Sequence, residues 1–174
     1  MTPAPIILVM GVSGAGKTTI ASRLAERLDW AFLDADDLHP PANHAKMARG
    51  EPLDDQDRRP WLAAVSEWMQ ARQRDGAPAV VACSALKRAY RDRLRRGVED
   101  LAIVFIQAAP QLLAERLARR SGHFMPRSLL ASQLAALEPP ASDETVIVVQ
   151  AGQTPDQIVE QVLEWVGSRP SRRS

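Results

Sequence analysis

The chain has a single cysteine, Cys83. An internal disulfide is therefore excluded, and so are zinc sites built from several thiolates. One lone thiol suits a reducing compartment. Aromatic residues make up only 5% of the chain, so a core has to come mainly from aliphatic side chains. Excess charge of one sign is also lacking. The 22 Lys and Arg face 21 Asp and Glu for a net charge of +1, which gives no footing for a nucleic-acid or anionic-membrane partner. Long apolar runs are missing too. Ile6 to Met10 is a run of five with no basic region before it, too short for a signal-peptide core or a membrane span. The expectation is a cytoplasmic, soluble protein.

What is present suits one globular domain. Apolar residues are 45% of 174 and charged residues 25%. A chain of this length buries roughly 70% of the surface its unfolded form exposes. Short apolar runs alternate with longer amphipathic stretches. Strands are expected at Ile6 to Met10, Ala31 to Leu33, Ala79 to Cys83, Leu101 to Ile106 and Val146 to Val149. Helices are expected at Thr18 to Leu28, Pro41 to Met47, Pro60 to Arg74, Leu86 to Arg96, Pro110 to Arg120, Pro126 to Leu137 and Pro155 to Val166. Strands separated by helices predict βαβ units and an α/β fold with a mostly parallel sheet. The domain is expected over residues 1–166, with a frayed tail over 167–174 that is rich in Ser, Arg and Pro.

Gly11-Val12-Ser13-Gly14-Ala15-Gly16-Lys17-Thr18 matches GxxxxGK[ST] at every fixed position, between an expected strand and an expected helix. That context is what gives the motif meaning. Glycines let successive backbone N–H groups turn inward on phosphate oxygens, and the helix that follows through Thr19 adds its positive end. Lys17 is expected on the β- and γ-phosphates and Thr18 on Mg²⁺. The loop implies a nucleoside triphosphate without naming the reaction. An Asn-Lys-x-Asp signature for guanine is missing, and the third strand runs into Ser84 rather than an acidic magnesium ligand. Asp34, at the end of the second strand, is the nearest alternative.

Ligands of open α/β sheets bind at the carboxyl ends of the strands. Those ends carry Asp34, Asp36, Asp37 and His39 after the second strand, and Ser84 and Lys87 after the third. A carboxylate there can take a proton from an attacking hydroxyl; the alternative is that these aspartates cap a helix or are simply solvated.

The stretch Phe32-Leu33-Asp34-Ala35-Asp36-Asp37-Leu38-His39-Pro40 resembles the second-strand segment of bacterial-type gluconokinases. Asn43, Lys46-Met47, Gly50-Glu51-Pro52-Leu53, Asp55, Asp57-Arg58 and Pro60-Trp61-Leu62 continue that pattern. So do Cys83-Ser84-Ala85-Leu86-Lys87, Tyr90-Arg91, Gly122-His123-Phe124, Ser132-Gln133 and Leu137-Glu138. Two departures stand out: Ala35 lies where the family often has glycine, and Asp37 adds a negative charge. The resemblance implies a P-loop, nucleoside-monophosphate-kinase-like three-layer α/β/α fold. It implies a five-stranded parallel sheet and a mobile lid, here near 116–137. It also implies MgATP-dependent phosphorylation of the 6-hydroxyl of D-gluconate, and a homodimer.

Within that frame each role has a chemical reason. Asp36 is expected to orient the acceptor hydroxyl and take its proton, and Asp34 to hold Mg²⁺ with Thr18. The far, carboxylate end of an open-chain sugar acid needs cations; Arg58, Lys87, Arg91, His39 and His123 are the candidates. Arg58 leads because a guanidinium fork matches a carboxylate, against the alternative of an ion pair with Asp54, Asp55 or Asp57. Arg120, then Arg116, are expected to close over the triphosphate from the lid; the alternative is a solvated, arginine-rich helix end. The turn Gln153-Thr154-Pro155 is expected against adenine. Two other readings stay open: a related small-molecule kinase such as one for shikimate, and a regulatory protein that switches on binding ATP.

Overall fold

The computed structural model describes residues 3–119 and 127–170, with backbone only at Arg127. Five strands form one sheet: β1 (Ile6–Met10), β2 (Ala31–Asp34), β3 (Ala79–Ala82), β4 (Leu101–Gln107) and β5 (Val146–Gln150). Every pairing is parallel, in the order β2-β3-β1-β4-β5. The central strand β1 is buried along its whole length and alternates between two cores. Ile7 and Val9 face one side; Ile6, Leu8 and Met10 face the other. That period of two with apolar residues on both faces is why the run is continuous rather than alternating.

Helices cover both faces. On the side of Ile7 and Val9 pack α1 (Lys17–Leu28), α5 (Pro110–Arg119), α6 (Arg127–Ala136) and α7 (Pro155–Ser168), through Leu24, Leu113, Leu130 and Val162 among others. On the other side pack α3 (Asp55–Arg74) and α4 (Arg88–Arg95), through Trp61, Val65, Met69 and Leu94. A short helix, α2 (Pro41–Ala48), and one 3₁₀ turn over Ala35–Leu38 link β2 to α3. The three-layer α/β/α architecture is the expected one.

Two boundaries differ from expectation for local reasons. Helix α3 starts at Asp55 rather than Pro60, because Asp54 and Asp57 form a reciprocal capping box that satisfies the first N–H groups five residues earlier. Helix α7 runs to Ser168, so residues 167 and 168 belong to it rather than to a frayed tail.

The chain builds β2 and β3 to one side of β1, then β4 and β5 to the other. The order reverses at β1, and the crevice at its carboxyl end is where this topology opens a ligand site.

Candidate active site

The loop from Gly11 to Lys17 leaves β1 at that crevice. A Cβ on Gly11 would sit 3.0 Å from the Ile106 carbonyl oxygen, so β4 leaves no space for one. Gly16 caps α1 at φ 101°, in the region that favours glycine. The Lys17 ammonium donates to the Val12 carbonyl at 3.1 Å, across the curl of the loop. Thr18 stands in the first turn of α1, and its hydroxyl donates to Asp34 Oδ2 at 2.8 Å. The other oxygen of Asp34 accepts the Asp36 N–H at 3.0 Å and caps the 3₁₀ turn. One carboxylate thus caps the turn and meets the loop threonine. A hydroxyl beside a carboxylate is a hard-oxygen pair suited to Mg²⁺, which takes few protein ligands and fills the rest with phosphate and water.

Beside the loop lies a cavity of about 380 Å³. Lys17, Asp36, His39, Glu51, Arg58 and Trp61 are among the residues that line it. The 3₁₀ turn presents Asp36 to this cavity. The Asp36 side chain keeps 69% of its surface open, but the protein crowded around it still strips enough water to push its carboxyl pKa up; Lys17 opposes that, and Asp34 and Asp37 add to it. His39 stacks on Trp61 at 4.2 Å between ring centroids, and burial carries its pKa down to about 4. The Trp61 indole donates to the Ala35 carbonyl at 2.6 Å, which fixes the turn from below.

Arg58 reaches the cavity because its acidic neighbours are engaged elsewhere. Asp54 caps α3, Asp57 pairs with Lys46 at 2.7 Å, and Asp55 pairs with Lys87 at 2.9 Å. The Arg58 guanidinium bonds the Leu53 carbonyl and lies 5.6 Å from the Tyr90 ring centroid.

A second cavity of about 310 Å³ adjoins the outer side of the loop, lined by Gly14, Gly16, Arg116, Arg119, Gln153 and Pro155. Arg116 donates to the carbonyls of Gly14 at 3.1 Å, Ala15 at 3.2 Å and Ala151 at 2.6 Å. It ties α5 to the loop from outside. Thr19 lines the same cavity. Within the loop Val12 and Ala15 are buried, and Ser13 lines the first cavity.

Two expected substrate cations are not brought to the first cavity. Arg91 is fully buried. Its Nε and Nη2 donate to Glu144 at 2.8 and 3.2 Å, and its Nη1 to the carbonyls of Ala85 and Leu86. It braces the turn between β3 and α4, where Ala85 sits at φ 46°, and it has no face toward a ligand. The correction is physical: a periodic, basic stretch reads as a helix surface, but the first turn of α4 docks on Glu144. Lys87, the residue before α4, is held by Asp55 and lies outside the cavity wall. Arg120 and His123 lie outside the described residues.

Burial pushes the Glu144 carboxyl up, but the Arg91 fork and the Ala141 N–H outweigh that and hold it below the usual range. Arg91→Met leaves this buried carboxylate without its partner. A loss of about 3–5 kcal/mol of stability is expected, read by denaturant unfolding, with the Michaelis constant for the acceptor unchanged in the folded fraction. A raised Michaelis constant at native stability would return Arg91 to the substrate.

Two residues gain a role that the sequence pattern alone did not assign. Asn43, only 4% exposed, sits between His39 and the Asp57 carbonyl. Gln133, on α6, accepts the Ser13 N–H at 2.7 Å and donates to the Ser13 hydroxyl at 3.2 Å, so α6 touches the phosphate loop directly. Both stand in the family-like pattern of the sequence, but only their tertiary partners give them a role.

A three-layer α/β/α sheet with this loop at its reversal point and an acidic turn opposite defines a P-loop kinase acting on a small molecule. A family model described as an AAA domain matches residues 6–140. The gluconokinase of Gluconobacter oxydans (strain 621H) is 52% identical over 157 residues, covering 90% of this chain and 88% of that one. A solved gluconokinase from Sinorhizobium meliloti 1021 superposes with a TM-score of 0.85 at 45% identity, covering 95% of this chain and 93% of that one. An unliganded sugar kinase from Janibacter sp. HTCC2649 superposes at 0.91, also at 45% identity, covering 99% of each chain. The chain belongs to the gluconokinase family.

Proposed function

We propose that this chain transfers the γ-phosphoryl group of ATP to the 6-hydroxyl of D-gluconate, giving 6-phospho-D-gluconate and ADP. The observation that carries the reading is the shared cavity: Lys17 of the phosphate loop and Asp36 of the acidic turn line one space with Arg58. An acceptor with a hydroxyl at one end and a carboxylate at the other matches that arrangement of groups.

The chemistry follows from the residues. The loop N–H groups hold the phosphates, and Lys17 balances charge on the transferring group. The acceptor oxygen attacks the γ-phosphorus, its proton passes to Asp36, and the bond to the β–γ bridging oxygen breaks with its electron pair leaving on ADP. Arg58 takes the acceptor's carboxylate by its fork, while His39 faces the hydroxyl chain. Thr18 and Asp34 would hold Mg²⁺, which neutralises phosphate charge when bound. Adenine belongs in the second cavity, between Arg116 and the turn at Gln153 and Pro155. The lid of this reading spans about 116–137; Arg120 and His123, assigned to it by the resemblance, lie outside the described residues.

No helix among the described residues is long and apolar enough to cross a membrane. A cytoplasmic homodimer belongs to the same proposal; sedimentation of the purified protein tests the dimer. The reaction is tested by ADP release from MgATP with D-gluconate, shikimate, other sugar acids, glucose, or no acceptor. Release dependent on gluconate is expected. Release with another acceptor overturns the substrate, and ATP binding without any release favours the regulatory reading.

A further inference from the structure

The environment of His39 settles which of its nitrogens carries the proton. Asn43 Nδ2 lies 2.9 Å from the Asp57 backbone carbonyl, an atom that only accepts. That contact fixes the amide: the nitrogen, not the oxygen, points this way. The same Nδ2 lies 3.2 Å from His39 Nδ1. An amide nitrogen only donates, so Nδ1 must present its lone pair. The ring proton is left on Nε2, and Nε2 faces Asp36 Oδ1 at 3.9 Å, too long for a direct hydrogen bond.

The arrangement is built rather than incidental. His39 is 9% exposed and Asn43 4%. The imidazole lies nearly parallel to Trp61, with 14° between planes, which fixes the plane of the ring; the Asn43 amide, held by the Asp57 carbonyl, fixes which edge faces α2. Asn43 stands in the first turn of α2, behind Pro41 at its first position, where its own N–H bonds the Pro40 carbonyl at 2.9 Å. The groups facing the ring are Asp36 on its own turn, His44 on α2 at 5.9 Å between centroids, and Arg58 and Trp61 on α3. His44 and Arg58 both act against a positive charge on it.

We propose that Asn43 is a positioning residue: it holds His39 as the neutral Nε2–H tautomer, a hydrogen-bond donor to a substrate hydroxyl beside Asp36. A hydroxyl that gives its hydrogen to Asp36 turns a lone pair toward that N–H, and the gap between the two groups opens on the acceptor cavity. Neutrality matters as much as direction. An imidazolium there would form an ion pair with Asp36 and weaken it as a proton acceptor; a neutral ring orients the same hydroxyl without that cost. The inference rests on the proposed acceptor cavity for its catalytic consequence, but the tautomer is a property of the protein alone.

The test therefore has two arms. Nitrogen NMR of ¹⁵N-histidine-labelled protein, with His39 assigned through His39→Gln, reads the tautomer and charge without any substrate. The Nε2–H form is expected, still neutral well below the ordinary imidazole pKa of about 6.5. An Nδ1–H form, or titration near that ordinary value, overturns the proposal. The second arm is Asn43→Asp. A carboxylate at 43 would draw a proton onto Nδ1, leaving His39 either charged or with a lone pair toward Asp36. A fall of about tenfold or more in kcat/KM for gluconate is expected, with KM for ATP unchanged and the NMR signature moved. In a His39→Gln background, whose amide is a neutral donor with no tautomer to set, the same substitution should change kcat/KM by less than about twofold. An equal loss in both backgrounds makes Asn43 merely structural and sinks the idea. If Asn43→Asp does not fold, the NMR arm decides by itself. If gluconate is not the acceptor, kinetics report that separately while the tautomer stands or falls on its own.

Discussion

Lys17→Ala is expected to lower kcat by about 10²–10³-fold while the melting temperature stays near that of the native protein. The two expectations have separate grounds. The side chain is half-buried at a loop, outside both apolar cores, so its loss leaves no cavity in either core. Its charge, by contrast, sits where the loop meets the acceptor cavity. Phosphoryl transfer involves little covalent work by the protein, so fixed positive charge beside the transferring group accounts for much of the rate. A second consequence follows from the same geometry. Lys17 is the neighbour that most strongly opposes the upward shift of the Asp36 pKa. Without it Asp36 binds its proton more tightly, and activity at a given pH falls further because less of the base is ionised. The measurements are steady-state kcat with gluconate, nucleotide affinity by fluorescence titration, and thermal melting. Near-native turnover in a folded variant would remove the loop from the mechanism.

The sheet and the loop were legible because both are local patterns. Continuous runs such as Ile6 to Met10 state a strand covered on both faces, and the glycines of the loop state their own backbone geometry. Edge strands read less clearly: Phe32 on β2 and Val148 on β5 remain 38% and 45% exposed. The start of α3 was legible in principle. Asp54 and Asp57 carry a capping-box spacing, but Pro60, read as a first helical residue, drew the boundary inward. Proline is tolerated there, six residues past the cap, because the cost falls on one carbonyl near the helix start.

Site residues divide along the same line. Asp34, Asp36 and His39 follow from their place at a strand end; Asp36 and His39 line the first cavity, and Asp34 meets Thr18 beside the loop. Arg91 did not follow, since its burial depends on Glu144, 53 positions away, and no periodicity encodes such a pairing. The same holds for Gln133, 120 positions from Ser13. Arg58 was the reverse case. Three nearby aspartates offered it local partners, and only tertiary neighbours such as Lys46 and Lys87 draw two of them away. Ala35 is fully buried with its carbonyl on the Trp61 indole, so its methyl group is absorbed by the core rather than by the site.

Asp36→Asn is the sharper test, because the change keeps shape and removes only the proton acceptor. A loss of about 10²–10⁴-fold in kcat is expected, with KM for ATP close to native. Asn keeps the backbone N–H that binds Asp34 Oδ1, so the cap of the turn and the Thr18–Asp34 pair should survive. The pH profile adds a sign. A base must be ionised to accept a proton, and the Asp36 pKa is raised, chiefly by burial, above the ordinary carboxylate value. The kcat/KM for gluconate should therefore rise with pH through a step above the usual carboxylate range of about 4, then level off. In Asp36→Asn that step should vanish along with the rate. Should the variant instead keep its kcat and require more Mg²⁺ or ATP, Asp36 would belong with Asp34 at the metal, and the acceptor's proton would need another route. Loss of the rate and of the acid step together, at unchanged ATP affinity, places an ionised carboxylate at position 36 on the acceptor hydroxyl, since a metal ligand moves affinity and a purely structural residue moves stability.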